Sequence, residues 1–257
     1  MDNTYQTYVN RVAQMTLPAS YPQQLQHIQK SGKFAQGEAV AFPGYTVMTP
    51  PEPEDQENTD FYPYLKSCQE QLLQQLPPGL FIPLTPASFH LTLADLIWDG
   101  GYQNAVARNA QFDEELLKDI SESFKQYKQG VSKTHPITLQ VLGLSIFPRA
   151  LAVCLVPSKE EDYEQIVGLR RSIYQNPGII NLGIEQNYDF TAHITLGYFG
   201  EVSAQLNRKQ LLDTLAKLND SWLEIEPPVF TIHRAELRKF KDMLHYEREI
   251  NWPVVEF

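Results

Sequence analysis

Ser88-Phe89-His90-Leu91-Thr92-Leu93 is matched, 103 residues later in the chain, by Thr191-Ala192-His193-Ile194-Thr195-Leu196. Both segments run hydroxyl, apolar, His, aliphatic, Thr, Leu, so each contains a His-x-Thr motif. One such motif occurs easily by chance. Two copies in matching contexts indicate a duplicated half-site, in which two imidazoles and two hydroxyls face each other.

Both segments have the composition of β-strands, in which successive side chains point to opposite faces. In the first copy, this alternation separates His90 and Thr92 from the apolar Phe89, Leu91 and Leu93. In the second copy, it separates Thr191, His193 and Thr195 from Ala192, Ile194 and Leu196. The apolar faces can pack under helices. The polar faces predict a polar cleft, because burying them without partners would cost free energy.

The chain around the motifs repeats one order of predicted elements. Each half runs strand, helix, His-x-Thr strand, helix, strand. The predicted ranges are 39–49, 61–76, 88–98, 113–127 and 137–147, followed by 151–156, 159–174, 187–199, 204–218 and 230–237. Ser158 is expected to be the N-cap of the helix at 159–174. The order predicts an α+β fold of two pseudo-symmetric lobes, each a largely antiparallel sheet with helices on its outer face, enclosing a central cleft.

The domain organisation follows from the absence of a flexible linker between Phe147 and Leu151. Residues 36–257 are expected to form a single bilobal domain, with lobe-forming repeats at about 39–147 and 148–240. Residues 1–35 are polar and Gln-rich. They are expected to be a helical or irregular accessory segment packed on the outside of the core.

Composition and charge restrict the partners. The chain has 257 residues and a formal net charge of −10, whereas a protein that binds a long nucleic acid usually presents a basic surface. This balance favours a small nucleotide or a short RNA end as partner. Cys68 and Cys154 lack metal-ligand spacing and are expected to be buried thiols. No secretory signal or membrane-spanning run is recognised, so a cytoplasmic protein is expected. It is also expected to be a monomer.

The two motifs carry the chemistry of acid and base catalysis. Imidazole titrates at a pKa of about 6.5, so a pair in opposite protonation states can activate a nucleophile and protonate a leaving group. Threonine hydroxyls can donate hydrogen bonds to the non-bridging oxygens of a phosphate. Neither motif has zinc-ligand spacing, so no metal and no cofactor are expected.

The paired His-aliphatic-Thr-Leu strands resemble the 2H phosphoesterase superfamily, which includes the LigT-like RNA ligases and 2′,3′-cyclic phosphodiesterases. The resemblance covers approximately residues 39–240. It implies that each lobe supplies one motif to a central cleft, that His90 and His193 are the catalytic pair, and that Thr92 and Thr195 contact phosphate. It further implies hydrolysis of a phosphodiester of a nucleotide or RNA end, with a 2′,3′-cyclic phosphate favoured and a role in RNA processing. Several branches of this superfamily have no established substrate.

Two further groups of residues bear on the site. Trp98, Tyr198 and Tyr45 flank the predicted inner strands and are candidates for binding substrate, for example by stacking on a base. Trp98 follows Thr92 by six residues, so it shares the face of Thr92 if the strand is regular. A late basic cluster alternates with acidic residues, which is typical of a solvated face; it comprises Arg234, Arg238, Lys239 and Lys241.

Two other functions remain open on the sequence. The same cleft could bind a nucleotide or RNA end without turnover, although a binding role needs no proton acceptor. It could also join RNA halves as a 2′–5′ ligase, which the acidic balance makes less favourable. The sequence leaves open which imidazole is the base and which the acid.

Overall fold

The computed structural model describes residues 3–131 and 134–257. Its helices in this part of the chain are α1 (Tyr5–Thr16), α2 (Tyr21–Gln26), α3 (Phe61–Gln75), α4 (Asp99–Arg108), α5 (Phe112–Gly130), α6 (Glu160–Tyr174), α7 (Pro177–Asn181) and α8 (Arg208–Leu223). The predicted helices at 61–76 and 113–127 correspond to α3 and α5. Helix α4 was not predicted, and α6 is preceded by Lys159 without a side-chain cap, so Ser158 is not its N-cap.

Two antiparallel five-stranded sheets form the core of the described residues. A separate hairpin joins β1 (Phe34–Ala35) to β2 (Glu38–Ala39). The strands of the first sheet are β3 (Gly44–Met48), β5 (Thr92–Trp98), β10 (Arg234–Phe240), β11 (Tyr246–Glu247) and β12 (Val254–Glu256). The strands of the second sheet are β4 (Phe81–Pro83), β6 (Ile137–Phe147), β7 (Ala150–Pro157), β8 (His193–Phe199) and β9 (Phe230–Ile232). The α+β fold with two sheet lobes is therefore confirmed.

The sheets are not built from the two halves of the chain, which corrects the expected division at residues 147 and 148. Strand β6 pairs with β7 along most of its length, because the turn at Pro148-Arg149 is short enough to join only adjacent antiparallel strands. Both strands therefore lie in the second sheet. The predicted strand at 230–237 is interrupted at His233. Its first part, β9, pairs with β6, and β10 crosses to pair with β3 of the first sheet.

The N-terminal segment is an integral part of the second lobe, rather than an accessory. Helix α1 packs against β6 and β7. The hydroxyls of Tyr8 and Tyr21, both fully buried, donate to the carbonyls of Leu155 at 3.3 Å and Leu144 at 2.9 Å. A helical or irregular segment was expected here, but no local signal in the sequence predicted these hydrogen bonds into the sheet.

The two cysteines are buried as predicted, whereas part of the late basic cluster is not exposed as predicted. Cys68 and Cys154 are buried and free, as expected. Arg238, expected on a solvated face, is only 2 % exposed. Its guanidinium contacts the carboxylate of Glu236, which is completely buried, and donates to Glu54 at 3.0 Å. The alternation of charges in β10 therefore builds an internal ion network, since both faces of this central strand are covered.

Candidate functional site

A cleft of about 750 Å³ lies between the two sheets. Strand β5 contributes to its wall from the first sheet and β8 from the second, and the cleft is lined by His90, Thr92, His193 and Thr195. The structure thus brings together all four residues of the two motifs. In β8 the predicted alternation holds, because Ala192, Ile194 and Leu196 are fully buried while the two residues of the motif are partly exposed.

The two imidazoles are held in the same way. Nδ1 of His90 lies 2.7 Å from the carbonyl oxygen of Ser88, and Nδ1 of His193 lies 2.7 Å from the carbonyl oxygen of Thr191. A carbonyl oxygen only accepts hydrogen bonds, so each Nδ1 carries the proton. The lone pair of each neutral ring is therefore at Nε2. Both rings are prepared for proton transfer through the same atom.

The first motif deviates from the predicted strand. Ser88 ends a 3₁₀ turn (Pro86–Ser88), and β5 begins only at Thr92. The second motif likewise begins its strand at His193, rather than at residue 187. In each case the carbonyl two residues before the imidazole is outside the strand ladder. It is thus available to accept the Nδ1 proton.

Two β-bulges in β5 determine which side chains reach the cleft. The pairing with β3 skips Leu93 and Leu96, so Thr92, Asp95 and Trp98 all lie on the cleft face at intervals of three residues. A regular strand would place Asp95 on the opposite face. Trp98 lines the cleft, as predicted. The prediction assumed a regular strand, however, whereas in the structure two bulges together return the Trp98 side chain to the cleft face.

The electrostatic environment lowers the pKa of both imidazoles. Burial lowers the pKa of His90 to about 4, and the positive charges of His193, Arg238 and Lys33 act in the same direction, while the bond to Ser88 opposes them. Burial also lowers the pKa of His193, but here the carboxylate of Asp95 opposes the shift. Both rings are consequently neutral in the free protein near neutral pH, and Asp95 favours protonation of His193.

Each imidazole has an aromatic neighbour. The Tyr246 ring centroid lies 4.4 Å from that of His90, and the Phe147 ring centroid lies 4.9 Å from that of His193. These rings limit the rotation of the imidazoles and reduce their hydration. The two threonine hydroxyls of the motifs have no hydrogen-bond partner within the described part of the chain and remain available to a ligand.

The three aromatic candidates occupy different positions. The Trp98 ring lies beside that of Tyr188, with centroids 6.4 Å apart and planes inclined by 22°. Tyr198 lines the cleft, and its hydroxyl donates to Sδ of Met243 at 3.3 Å. Tyr45 borders the cleft but is only 1 % exposed, and its ring packs on Tyr102. Packing by itself accounts for the position of the Tyr45 ring, so Trp98 and Tyr198 are the stronger candidates for contact with a substrate.

Sequence reasoning missed Lys33 as a charged residue of the cleft and assigned no role to Asp95. Lys33 comes from the N-terminal segment that was expected to lie outside the core, and it lines the cleft together with Asp95. No signal in the sequence marks Lys33. The position of Asp95, three residues after Thr92, becomes informative only if the bulges are known.

Within residues 3–131 and 134–257, no group of three or more His, Cys, Asp or Glu side chains is arranged to hold a metal ion. In the same part of the chain, no helix combines the length and apolar character needed to span a membrane.

Comparison with known proteins places the fold. No family model and no curated protein matches the chain. A conserved protein of unknown function from Agrobacterium tumefaciens, ATU0111, is similar in structure with a TM-score of 0.56 and 15% identity, over 87% of this chain and 91% of that one. At this level of identity, the similarity shows a shared fold. TT0787 of Thermus thermophilus matches with a TM-score of 0.47 and 14% identity, over 76% of this chain and 86% of that one. Escherichia coli LigT matches with a TM-score of 0.41 and 14% identity, over 78% of this chain and 88% of that one.

Proposed function

We propose that this protein is a metal-independent phosphodiesterase of the 2H type, in which His90 and His193 act as acid and base on a phosphodiester of a nucleotide or RNA end. The observation that carries the proposal is the matched anchoring of the imidazoles. Each Nδ1 donates to a backbone carbonyl at 2.7 Å, which leaves both Nε2 atoms to exchange protons in one cleft. A structural histidine has no need of this arrangement in duplicate.

The favoured reaction is the opening of a 2′,3′-cyclic phosphate by water. One neutral imidazole removes a proton from water, and the water oxygen forms a bond to phosphorus. The bond from phosphorus to one ribose oxygen breaks, and the second imidazole, protonated at Nε2, gives its proton to that oxygen. The free hydroxyls of Thr92 and Thr195 donate to the non-bridging oxygens as negative charge increases on them.

The charges around the rings support a division of roles. The carboxylate of Asp95 favours the protonated form of His193, whereas Arg238 disfavours protonation of His90. His193 is therefore assigned as the general acid and His90 as the general base. A bound phosphate would add negative charge beside both rings and raise the pKa of the acid into the working range.

The size and charge of the cleft support a small substrate. A volume of about 750 Å³ lies within the range of about 300–1,000 Å³ that is usual for small-molecule sites. Asp95 and Asp99 line it, and the net charge of −10 disfavours a long polyanion. The aromatic side chain of Trp98 offers a surface on which a base can stack.

The proposal is tested by assaying the purified protein against 2′,3′-cyclic nucleotides, ADP-ribose cyclic phosphate and short 2′–5′ oligoadenylates. Turnover of at least one of them is expected, undiminished by EDTA, and His90→Ala and His193→Ala are each expected to abolish it. His27→Ala, at an exposed position outside the cleft, is the matched control and should retain full activity.

Three outcomes would contradict the proposal in different ways. Full activity of either cleft variant would exclude catalysis by two imidazoles. Tight binding of a cyclic nucleotide without product would favour a binding module. Joining of RNA halves, instead of hydrolysis, would favour a 2′–5′ ligase.

A further inference from the structure

Lys33 lies in the segment between α2 and the β1–β2 hairpin, outside both motif-bearing strands. The backbone fixes its position in several ways. The Ser31 amide donates to the Phe199 carbonyl at 2.8 Å, the Lys33 amide to the Ser31 hydroxyl at 3.2 Å, and the Val40 amide to the Lys33 carbonyl at 3.1 Å. The segment is thereby attached to the end of β8, the strand that carries the second motif. The backbone of Lys33 is thus anchored next to the second sheet.

The ammonium group of Lys33 is surrounded by aromatic rings. Its Nζ donates to the Tyr198 hydroxyl at 3.3 Å and lies 4.9 Å from the Phe42 ring centroid and 5.0 Å from that of Tyr198. Within the described residues, no carboxylate pairs with it at 4.0 Å or less. A partly buried ammonium without a carboxylate partner is poorly compensated, since rings and one hydroxyl replace only part of its hydration.

Lys33 lies in the same cleft as the two motifs. It lines this cleft together with His90 and His193, and its positive charge lowers the pKa of both imidazoles. Burial lowers the pKa of Lys33 itself to about 8, and Arg149 adds to this shift while Asp95 opposes it. An anion bound between the imidazoles would be the negatively charged partner that the Lys33 ammonium does not find among the described residues.

We propose that Lys33 is the phosphate-binding cation of the cleft, with its ammonium donating to a non-bridging oxygen of a phosphate held between His90 and His193. This inference rests on the proposed function and names the group that compensates the charge on the phosphate. The transition state of phosphoryl transfer carries its charge on the non-bridging oxygens. Two threonine hydroxyls and one imidazolium leave part of that charge uncompensated, and a fixed ammonium supplies the remainder.

The other cations at the cleft are less suited to this role. Lys30 is exposed and forms an ion pair with Glu201. Arg149 is an exposed residue of the turn between β6 and β7, where it donates to Gln29 at 3.4 Å. Neither contributes to the pKa shifts of both imidazoles, as Lys33 does.

The test uses Lys33→Met, which keeps an unbranched stem on Phe42 and Tyr198 but removes the charge, and Lys33→Arg, which restores a charge. Lys30→Met is the matched control in the same segment. Inorganic phosphate is titrated into each protein, and binding is followed through the imidazole proton resonances. Phosphate is expected to bind Lys33→Met about 10–100-fold more weakly than the wild type, and Lys30→Met as the wild type does.

Two further readouts separate binding of phosphate from a structural role. In phosphate-free buffer, Lys33→Met should raise the pKa of both imidazoles, because a positive charge is removed. With a substrate that the wild type hydrolyses, kcat/KM should fall about 10²–10³-fold in Lys33→Met and recover to within about tenfold of the wild type in Lys33→Arg.

The outcomes distinguish this inference from the proposed function. Equal phosphate affinity in wild type and Lys33→Met would overturn the role of Lys33 and leave the phosphodiesterase intact. Weakened phosphate binding in a protein that hydrolyses none of the substrates would support Lys33 and overturn the hydrolase. Absence of phosphate binding in the folded wild type would overturn the role of Lys33. If Lys33→Met does not fold, Lys33→Arg decides the question. A phosphate affinity and a kcat/KM close to those of the wild type in Lys33→Arg would support the role of Lys33 as the phosphate-binding cation. Loss of both phosphate affinity and kcat/KM in folded Lys33→Arg would overturn that role.

Discussion

Replacing His90 by Asn is expected to stabilise the protein in mild acid. The folded state holds the pKa of His90 at about 4, whereas an unfolded histidine titrates at about 6.5. Between these two values the unfolded chain binds a proton that the folded protein does not. Stability is therefore lost as the pH falls from about 6.5 towards about 4. Asn removes this titration and keeps a side-chain N–H that can donate to the Ser88 carbonyl.

The magnitude follows from the two pKa values. At about pH 5, preferential protonation of the unfolded state costs about 2 kcal/mol, and at about pH 7.5 it costs less than about 0.1 kcal/mol. The ring is partly exposed, so solvent screening reduces the expected difference to about 1–2 kcal/mol. In a chain of this length, that corresponds to about 2–8 °C in Tm.

Urea unfolding of wild type and His90→Asn at both pH values measures the effect. The free energy of unfolding of the variant, relative to the wild type, should rise by about 1–2 kcal/mol on going to about pH 5. His27→Asn, at an exposed position, is the control for the chemical change itself. The reasoning is refuted if the variant and the wild type lose stability in parallel as the pH falls.

Three further perturbations test other parts of the site. Asp95→Asn should lower the pKa of His193, the assigned general acid. The alkaline limb of the kcat/KM profile should therefore move to lower pH, and kcat/KM at neutral pH should fall by about tenfold; an unchanged profile would show that Asp95 does not support the acid. Arg238→Met should cost about 3 kcal/mol, measured by urea unfolding, because it removes the guanidinium that contacts Oε2 of the buried Glu236 carboxylate and leaves Arg234, at 2.9 Å from Oε1, as its nearest cation; a loss below about 1 kcal/mol would contradict this account of the network. Trp98→Leu should raise KM for a cyclic nucleotide about 5–150-fold and leave kcat unchanged, because it removes about 1–3 kcal/mol of stacking between the indole ring and the base. An unchanged KM would show that the base binds elsewhere.

The elements of the fold were largely predictable, but their partners were not. Helices α3 and α5 and strands β6 and β7 have strong periodicity or apolar runs that local patterns reveal. The division of the strands between the sheets was wrong, because a repeat in the sequence suggests contiguous lobes. Pairing depends on turn length and on contacts between distant strands. The crossing of β10 into the first sheet is such a contact.

The positions of the charged side chains in the cleft could likewise not be predicted from the sequence. The bulges at Leu93 and Leu96 arise from pairing with β3, and they alone place Asp95 in the cleft. Lys33 reaches the cleft because its segment hydrogen-bonds to the end of β8. Neither position has a local signal, since each depends on a strand elsewhere in the chain.

The sequence by itself determined the two imidazoles and the two threonines, because the duplicated motif depends only on residue type, and the alternation of side chains along a strand correctly predicted the face of His193 and Thr195. The tertiary structure decided which nitrogen of each ring faces the cleft and which charges surround it, and the proposed division of roles between His90 and His193 is based on these charges. The physical reason is that hydrogen bonding and electrostatic interaction act through space. The groups that set the pKa of His90, among them His193, Arg238 and Lys33, are brought together only by folding.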